Sequence, residues 1–433
     1  MGGQALAVIL IVLASLLIIG VPIAFSIGIA SIVTIMSTVP LNVAVLTAAQ
    51  RTFVGMSSFT LTAIPFFILA GNFMNEGGIA KRLVDFVMAI LGKLPGALLV
   101  TNVGANALFG AISGSASAAA AAVGSMVKSG EEELGYDQGL SAATNGASAP
   151  AGLLIPPSNA LITYSLVSGG TSVAALFLAG YIPGLIWALA CTIVAVAVAK
   201  KKGYKATEGK FSWSNLGRAT IAALPSLGLI IVVIGGIVAG VFTATEGSAI
   251  SVVYSLVLGL IYKNLNFKKI INILVESAKM SAIVVFLIGV SNILSWVMAF
   301  TGIPQMIGNS LLSITTNPII ILLIMNIILL ISGTFMDVTP AILIFTPLFL
   351  PIVQEFGIHP VHFGLIIVYN LCIGNITPPV GNTLFVAIKI GDTTLAKVMP
   401  YMLRYYALIL LGLLLVTYVP AITLSLPQAA GLL

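Results

Sequence analysis

The segment Gly152-Leu-Leu-Ile-Pro-Pro157 has a counterpart in the second half of the chain, Gly374-Asn-Ile-Thr-Pro-Pro379. Both segments interrupt long apolar stretches of the chain. Paired prolines remove two backbone hydrogen-bond donors, so they unwind a helix at that point. A helix that is broken at matching places in the two halves of a chain indicates an internal repeat.

Two further landmarks recur at nearly the same separation along the chain. Gly114 aligns with Gly333, and Gly78 aligns with Gly302. In each half, an apolar run too short to cross a bilayer ends at a Ser-Gly-Ser or Ser-Gly-Thr sequence, and a second apolar run follows. This pattern predicts a helical hairpin that enters the membrane and turns back, with tips near 113–115 and 332–334.

Composition assigns the whole chain to the membrane. Of its 433 residues, 59% are hydrophobic and 7% are charged, whereas soluble domains carry roughly 25% charged residues. The first uncharged stretch, 1–50, lacks the basic n-region of a cleavable signal peptide and is expected to remain. We therefore expect an all-α polytopic membrane protein built from two inverted repeats with reentrant hairpins and broken helices.

The basic residues predict the orientation. The net charge of +6 does not indicate a nucleic-acid partner, because the Lys and Arg residues lie in short loops, as in a topology signal. Lys93 and Lys128 flank the first hairpin, while no Lys or Arg flanks the second. The expected arrangement places both termini in the periplasm of a bacterial inner-membrane protein. The first repeat covers 1–199, with a cytoplasm-facing hairpin near 94–128 and a broken helix near 138–168. A basic cytoplasmic linker follows over 200–217. The second repeat covers 218–433, with a periplasm-facing hairpin near 317–354 and a broken helix near 362–391.

The broken helices are the candidate binding site. Discontinuous helices at matching positions of inverted halves mark the midplane site of a transporter. Their freed carbonyl oxygens need a partner inside the bilayer, and Na⁺ with hydroxyl ligands from the tips meets that need. The predicted ligands are Ser113, Ser115, Gly152, Ile155 and Pro157 in one half, and Ser332, Thr334, Gly374, Thr377 and Pro379 in the other. Alternatively, Gly and Ser at these positions only allow close helix packing.

Two acidic residues interrupt apolar stretches. Asp337 follows the second tip, and a central aspartate costs about 3 kcal/mol on insertion scales. It either helps to hold the coupling ion or caps the second helix of its hairpin. Glu246 follows Thr243-Ala-Thr, where an acidic residue can equally mark a helix start.

Other polar and aromatic residues are expected to be structural. His359 and His362 lie beside the outer hairpin loop and are expected in solvent. Trp187, Trp213 and Trp296 are expected to act as anchors at the membrane interface.

The motifs together resemble the large membrane subunit of TRAP (tripartite ATP-independent periplasmic) transporters, over essentially the whole chain. The resemblance implies an elevator-type fold of the ion transporter superfamily, sodium coupling, a separate small membrane subunit, and a periplasmic binding protein that delivers an organic anion. It also places the family's sodium sites on the ligands given above. The motifs are Gly110-Ala-Ile-Ser-Gly-Ser115, Gly135-Tyr-Asp137, Leu154-Ile-Pro-Pro-Ser158, Gly333-Thr-Phe-Met-Asp337, Pro360-Val-His-Phe-Gly364 and Ile376-Thr-Pro-Pro-Val-Gly381.

Amide side chains near the breaks are the candidate substrate ligands. Asn375 and Asn382 flank the second break, where many dicarboxylate-type relatives are expected to carry apolar residues. Extra amides suit a larger hydroxylated anion, so sialic acid stands beside C4-dicarboxylates as a predicted substrate. Ser158 and Asn159 complete the predicted set.

Other functional classes lack their sequence signatures. No G-x-x-x-x-G-K-[ST] occurs for an ATP-driven pump, and no H-E-x-x-H occurs for a metalloprotease. Asp337 has no evident partner for an aspartyl-type enzyme. The chain is therefore not expected to be an enzyme. A passive channel and a membrane scaffold subunit remain as alternatives, since broken helices also line pores.

Overall fold

A computed structural model describes residues 2–204 and 213–433. All regular secondary structure in these ranges is helical. Six helices of the described part are long and apolar enough to cross a membrane, or seven if the bent pair Leu41–Met56 and Phe59–Glu76 is one span. The predicted all-α polytopic class is confirmed.

The helices of the first half run in chain order and include one hairpin and one broken helix. They are α1 (Gly2–Ile18), α2 (Ile23–Met36), α3 (Leu41–Met56), a 3₁₀ turn (Phe59–Thr62), α4 (Ala63–Glu76), α5 (Ile79–Leu91), α6 (Ala97–Ser113), α7 (Ala116–Glu133), α8 (Gln138–Ser148), α9 (Ala151–Leu154), α10 (Asn159–Val167) and α11 (Val173–Lys202).

The second half repeats this order of parts. Its helices are α12 (Trp213–Val238), α13 (Ala244–Ile261), α14 (Phe267–Thr301), α15 (Ile303–Ile314), α16 (Pro318–Gly333), α17 (Val338–Glu355), α18 (Pro360–Gly374), α19 (Asn382–Ile390), α20 (Leu395–Tyr418) and α21 (Ala421–Ala429). We call α6 and α7 hairpin 1, α16 and α17 hairpin 2, residues 155–158 break 1 and residues 375–381 break 2.

The helices pack as two groups. In the outer group, α4 contacts α13 and α14, α14 contacts α2 and α3, and α5 contacts α12. In the inner group, hairpin 1 and α8 contact α19, while α10 contacts α17, so each broken helix touches parts of the other half. Large apolar side chains such as Phe53, Ile221 and Ile231 point away from the protein, as expected of helices that face lipid.

Glycine lets each hairpin touch its own broken helix along the backbone. A methyl group on Gly152 would lie 2.2 Å from Gly110 Cα, and one on Gly374 would lie 2.5 Å from Gly333 Cα. Gly110 is therefore the structural counterpart of Gly333, and the sequence alignment of Gly114 with Gly333 is off by one helical turn. Only residues without a Cβ allow this approach.

The described part of the linker is shorter than the predicted 200–217. Lys200, Lys201 and Lys202 form the last turn of α11, and α12 already begins at Trp213. Residues 205–212 of the predicted linker, with Lys205 and Lys210, lie outside the described residues.

Two expectations for single residues change, and a third is confirmed. Trp187 is fully buried, and its Nε1 donates to Ala147 O at 2.8 Å, so it is not an interface anchor. His362 is also buried, and Thr423 Oγ1 lies 2.7 Å from its Nδ1, so it is not in solvent. The helix-start interpretation of Glu246 is confirmed, because its carboxylate and Thr243 form a capping box at α13.

Candidate functional site

A cavity of about 180 Å³ lies between the hairpin tips. It is enclosed by the tip of hairpin 1, the starts of α10 and α17, and the beginning of break 2, and it is closed on the other side by α4 and α14. Its polar lining residues are Asn72, Asn75, Ser113, Ser115, Ser117, Asn159, Thr163, Asp337, Thr339 and Asn375.

Three helices begin at this cavity. The first residues of α7, α10 and α17, which are Ala116, Asn159 and Val338, all line it. The N-terminus of a helix carries about half a positive charge and presents free N–H groups. Three such ends at one cavity favour an anionic ligand.

Each of the three N-termini is capped by a side chain that the sequence analysis selected. The Ser115 hydroxyl accepts from Ala118 N at 3.3 Å, and the Ser158 hydroxyl accepts from Leu161 N at 3.3 Å. Asp337 Oδ1 accepts from Val338 N at 2.9 Å. Asp337 thus occupies the capping position, and its carboxyl also lines the cavity.

The tip of hairpin 1 is fixed against the helix that follows break 1. Gly114 has a φ of +63°, and a Cβ at this position would lie 2.6 Å from Asn159 Nδ2. The Ser113 hydroxyl donates to Ser115 O at 3.3 Å. The turn therefore depends on a left-handed glycine that the Asn159 amide covers.

The side chains at the centre of break 1 lie outside the cavity. Gly152 lies in the short helix α9 rather than in the unwound segment. The Ile155 side chain packs against Gly184 of α11, and Pro157 lines a separate small cavity with Phe67 of α4. The side chains of these break residues therefore lie in other surroundings than Ser113 and Ser115, and sodium binding by their carbonyl oxygens stays a prediction.

Hairpin 2 is bound to break 2 by its backbone. Val380 N donates to Thr334 O at 3.2 Å, and the Thr334 hydroxyl donates to Ile331 O at 2.7 Å. Within the break, Tyr406 OH of α20 donates to Ile376 O at 2.6 Å. The helical donor for this carbonyl would be Val380 N, which bonds to Thr334 O instead, so the carbonyl has a protein partner outside the helix.

Two amide oxygens at the cavity lack partners. Asn159 Oδ1 and Asn375 Oδ1 are buried, and neither accepts a hydrogen bond from any residue that the structure describes. A buried acceptor without a donor costs about 1–3 kcal/mol. Both oxygens are thus available to a cation or to a hydrogen-bond donor of a ligand.

The cavity has one acidic side chain and no basic one among its described lining residues. The acidic group is Asp337, and the remaining polar groups are Asn, Ser and Thr. An anion in this place has to be neutralised by the helix ends or by a bound cation.

A wider polar region adjoins the cavity, and we call it the vestibule. It has a volume of about 460 Å³ and is lined by α4 and α14. Asn72, Asn75 and Met280 line both spaces, and the vestibule adds Glu76, Lys269 and Glu276. Asn72 and Asn75 therefore stand between the candidate site and a charged surface.

Sequence reasoning missed two buried amide networks, one in each half. Asn106 Nδ2 of hairpin 1 lies 3.0 Å from Asn145 Oδ1 of α8. In the second half, Asn370 Nδ2 of α18 donates to Asn326 Oδ1 of hairpin 2 at 2.9 Å. The sequence signal that could have revealed these networks is an Asn that recurs in the first arm of each hairpin and in each broken helix.

The structure brings five of the fifteen predicted site residues to the cavity. Ser113, Ser115, Asn159, Asp337 and Asn375 line it. The others lie in break 1, in break 2, in hairpin 2 or in the packing contacts between them, outside the described lining. They are Gly152, Ile155, Pro157, Ser158, Ser332, Thr334, Gly374, Thr377, Pro379 and Asn382.

The sequence matches a known family across residues 10–422. That family is described as "Tripartite ATP-independent periplasmic transporter, DctM component". The chain belongs to this family. It is therefore a multi-pass inner-membrane permease subunit and not an enzyme.

Curated relatives agree with this assignment. The chain is 50% identical to the uncharacterised protein YgiK of Salmonella typhimurium over 96% of its own length and 95% of that protein. It is 38% identical to the C4-dicarboxylate TRAP transporter large permease protein DctM of Rhodobacter capsulatus, covering 97% and 98% of the two chains. It is also 39% identical to the isethionate TRAP transporter permease protein DctMQ of Oleidesulfovibrio alaskensis, over 94% of this chain and 64% of that one.

A solved structure shares the fold. The YdaH transporter of Alcanivorax borkumensis superposes with a TM-score of 0.61 at 14% sequence identity, and the match covers 84% of this chain and 86% of that one. At this level of identity, the likeness concerns the fold alone. It supports the predicted all-α polytopic membrane fold.

Proposed function

We propose that this chain is the large membrane subunit of a sodium-coupled secondary transporter that imports a small organic anion. The observation that carries the proposal is the cavity where the N-termini of α7, α10 and α17 converge beside two unpartnered amide oxygens. The helix ends supply partial positive charge to the anion. The oxygen atoms supply ligands to the cation.

Sodium suits the oxygen ligands that this cavity offers. Hydroxyl, amide and carboxylate oxygens are the ligands of hard cations, and the Ser113, Asn375 and Asp337 side chains offer all three at one cavity. A bound Na⁺ also compensates the Asp337 carboxylate, which has no basic partner among the described lining residues. Binding of the cation therefore prepares the cavity for the anion, which is the basis of coupling. The alternative role, in which glycine permits close helix packing, is supported by the backbone contacts of Gly152 and Gly374.

The size of the cavity favours a short substrate. Its volume of about 180 Å³ is below the roughly 300–1,000 Å³ that is usual for ligand pockets. A C4-dicarboxylate or a sulfonate such as isethionate fits this space better than sialic acid does. Of the two amides that suggested sialic acid, Asn375 lines the cavity, whereas Asn382 is exposed elsewhere.

The proposed partners are those implied by a tripartite system: a small membrane subunit and a periplasmic binding protein that delivers the substrate. No basic side chain lines the described cavity, so the permease is expected to recognise a free anion weakly by itself. Uptake should therefore require both partners.

The proposed mechanism is an elevator movement of the inner helix group against the outer group. In the predicted orientation, the basic segment 263–269 is cytoplasmic. The vestibule contains Lys269, so the cavity would face the cytoplasm in the present conformation. Movement of the hairpins and broken helices past α4 and α14 would then expose it to the periplasm.

Uptake by proteoliposomes is the deciding experiment. The chain is reconstituted with a candidate small subunit and binding protein, and C4-dicarboxylate, isethionate and sialic acid are tested under an imposed Na⁺ gradient. Accumulation against the substrate gradient that collapses without the Na⁺ gradient supports the proposal. Equilibration without accumulation supports a passive channel instead, and robust uptake by the permease alone argues against the tripartite assembly.

The predicted orientation has its own test. Ser129, near the end of hairpin 1, and Gly357, after hairpin 2, are accessible positions for labelling, since neither is buried. Single cysteines at these positions should react with impermeant reagents from opposite sides of the membrane. Reaction from the same side would contradict the inverted arrangement.

A further inference from the structure

A second polar cavity lies at the base of hairpin 1, at the end of α7 remote from the tip. Its volume of about 20 Å³ is enough for one water molecule. It is lined by α6, α7, α8 and α19, and so by helices of both halves. The proposed transport site uses none of these residues.

Four buried polar atoms at this cavity lack partners. They belong to Asn102 of α6, Glu131 of α7, Tyr136 of the following loop and Ser141 of α8, and each residue is less than a tenth exposed. Asn102 Nδ2, Glu131 Oε1, Tyr136 OH and Ser141 Oγ have no hydrogen-bond partner within residues 2–204 and 213–433. A buried water needs two to four polar partners. The four unpartnered atoms around this space can supply them.

The donor set fits a water or a protonated carboxyl better than it fits a metal ion. Asn102 Oδ1 already accepts from Asn106 Nδ2 at 2.6 Å, so Asn102 can present only its N–H group to the cavity. An N–H donor repels a cation, whereas the oxygen of a water can accept both from this group and from a protonated carboxyl.

The surrounding charges do not neutralise Glu131. On the same helix, Lys128 Nζ binds Asp392, which follows α19, and lies 3.8 Å from Glu132 Oε1. The other titratable groups near the carboxyl are the phenol of Tyr136, which lines the cavity, and that of Tyr405 in α20, which is hydrogen-bonded to Thr144. Lys128 is the one basic residue among the described residues that line the cavity, and it already pairs with two other acids. An ionised Glu131 would thus be a buried charge without a partner in the cavity.

We propose that Glu131 and its one-water cavity form a proton-binding site, with the carboxyl protonated at neutral pH. The protonated carboxyl donates to the water, and the water accepts from Asn102 and bonds to the hydroxyls of Tyr136 and Ser141. Deprotonation leaves a charge at the contact of hairpin 1 with α8 and α19. In the predicted orientation, the site therefore links cytoplasmic pH to the packing of the two broken helices.

The electrostatics agree with this geometry. Burial is the main cause that raises the pKa of Glu131 to about 8; the Ser141 hydroxyl opposes this shift, and the nearby Glu132 adds to it. An acid whose pKa is raised by folding stabilises the protein fully below its unfolded pKa of about 4.3. This contribution is lost as pH rises through about 8.

Infrared spectroscopy of the full-length protein during a pH titration tests the site. The wild type should show the C=O band of a protonated carboxyl at neutral pH, with loss of the band at a midpoint near 8. The band should be absent in Glu131→Gln and present in Glu132→Gln, whose side chain is 48% exposed. A wild type without the band at neutral pH, or an unchanged band in Glu131→Gln, would overturn the proposal.

Ser141→Ala keeps the test decisive if Glu131→Gln does not fold. A hydroxyl that faces the cavity stabilises the carboxylate, so its removal should move the midpoint to higher pH. Melting curves add an independent measurement: between pH 5 and 8, Tm should fall further for the wild type than for Glu131→Gln. An unmoved midpoint in Ser141→Ala, or parallel Tm curves, would contradict a proton site at Glu131.

Discussion

The two halves use the same order of parts but shape one part differently. In the second half, α14 is a single helix of 35 residues. Its counterpart in the first half is divided into α3 and α4, which meet at an angle of 60°. The division falls at Ser57-Ser58, where the Ser57 hydroxyl bonds back to Phe53 O at 2.6 Å, and Pro65 follows in the first turn of α4. Local residues thus bend one copy of a repeated helix.

The hairpin tips differ as well. Ser113 is 9% exposed, and the tip of hairpin 1 is covered by Asn159, whereas Phe335 at the tip of hairpin 2 is 61% exposed. The cavity is also lined mainly by the first half, with α4, hairpin 1 and α10 contributing most of its wall. The repeat therefore specifies the parts, and the surroundings of each part decide which tip is enclosed.

The largest loss of stability is expected at the glycine contacts between hairpin and broken helix, which both halves share. A methyl group on Gly152 would lie 2.2–2.6 Å from backbone atoms of Gly110 and Ala111. Because backbone cannot yield as a side chain does, Gly152→Ala should cost at least about 1–3 kcal/mol. Gly333→Ala should be milder, since the nearest atom to its methyl group, Gly374 Cα, lies 3.2 Å away.

Folded yield and Tm measure this difference. Gly235→Ala in α12 is the matched control, because its methyl group would have no neighbour within 4 Å. If Gly152→Ala proves as stable as Gly235→Ala, the backbone contact between hairpin 1 and α9 is not as described.

The next effect concerns the one acid of the main cavity. Asp337→Asn keeps the cap of α17, since Asn caps as well as Asp, so Tm should hardly change. Loss of the charge should weaken Na⁺ binding by about 1.5–3 kcal/mol, or roughly 10–150-fold. Sodium titration of uptake measures the midpoint, and an unchanged midpoint would leave Asp337 with its capping role only.

A smaller effect is expected from the neutral hydroxyls at the two tips. Ser115→Ala and Thr334→Ala should each raise the sodium midpoint by about 2–13-fold, equivalent to about 0.5–1.5 kcal/mol. Ser115→Ala should also lower Tm, because it removes the cap of α7. Ser125→Ala is the control on the same helix, with an exposed hydroxyl that bonds only to Ala122 O. Equal midpoints in Ser115→Ala, Thr334→Ala and the control would argue against sodium at the tips.

Sequence alone predicted the hairpins and the broken helices because their signals are local. Ser-Gly-Ser and Pro-Pro determine the backbone wherever they occur in a helix. Five residues that line the cavity were also predicted, since hairpin tips and helix breaks each have a recognisable sequence motif.

What could not be predicted depends on which elements meet. The closed side of the cavity comes from Asn72 and Asn75 of α4, whose sequence surroundings resemble any polar helix end. The burial of Trp187 and His362 likewise follows from contacts with α8 and with the end of α20. Single-residue expectations taken from average membrane statistics were wrong there, because tertiary packing decides burial.

The smallest effect concerns the starts of the two broken helices. Asp137 caps α8 and His359 caps α18, at matching positions of the two halves. Asp137 has additional partners, since its Oδ2 accepts from Lys202 Nζ at 2.7 Å and from Tyr401 OH at 2.9 Å. His359 accepts from Val361 N at 3.2 Å. The first broken helix is thus bound at its start to α11 and α20.

Asp137→Asn should therefore lower the stability slightly, by less than about 1 kcal/mol, because the ion pair with Lys202 is partly exposed. His359→Asn, which keeps a cap, is the matched control and should leave Tm unchanged. Burial opposes ionisation, but the hydrogen bonds from Lys202, Leu140 and Tyr401 hold the pKa of Asp137 below its ordinary value. The contribution of Asp137 is then complete above its unfolded pKa and is lost as pH falls through the folded one. The Tm difference between wild type and Asp137→Asn should accordingly be present at neutral pH and shrink in acid, and a difference that grows in acid would contradict the ion pair.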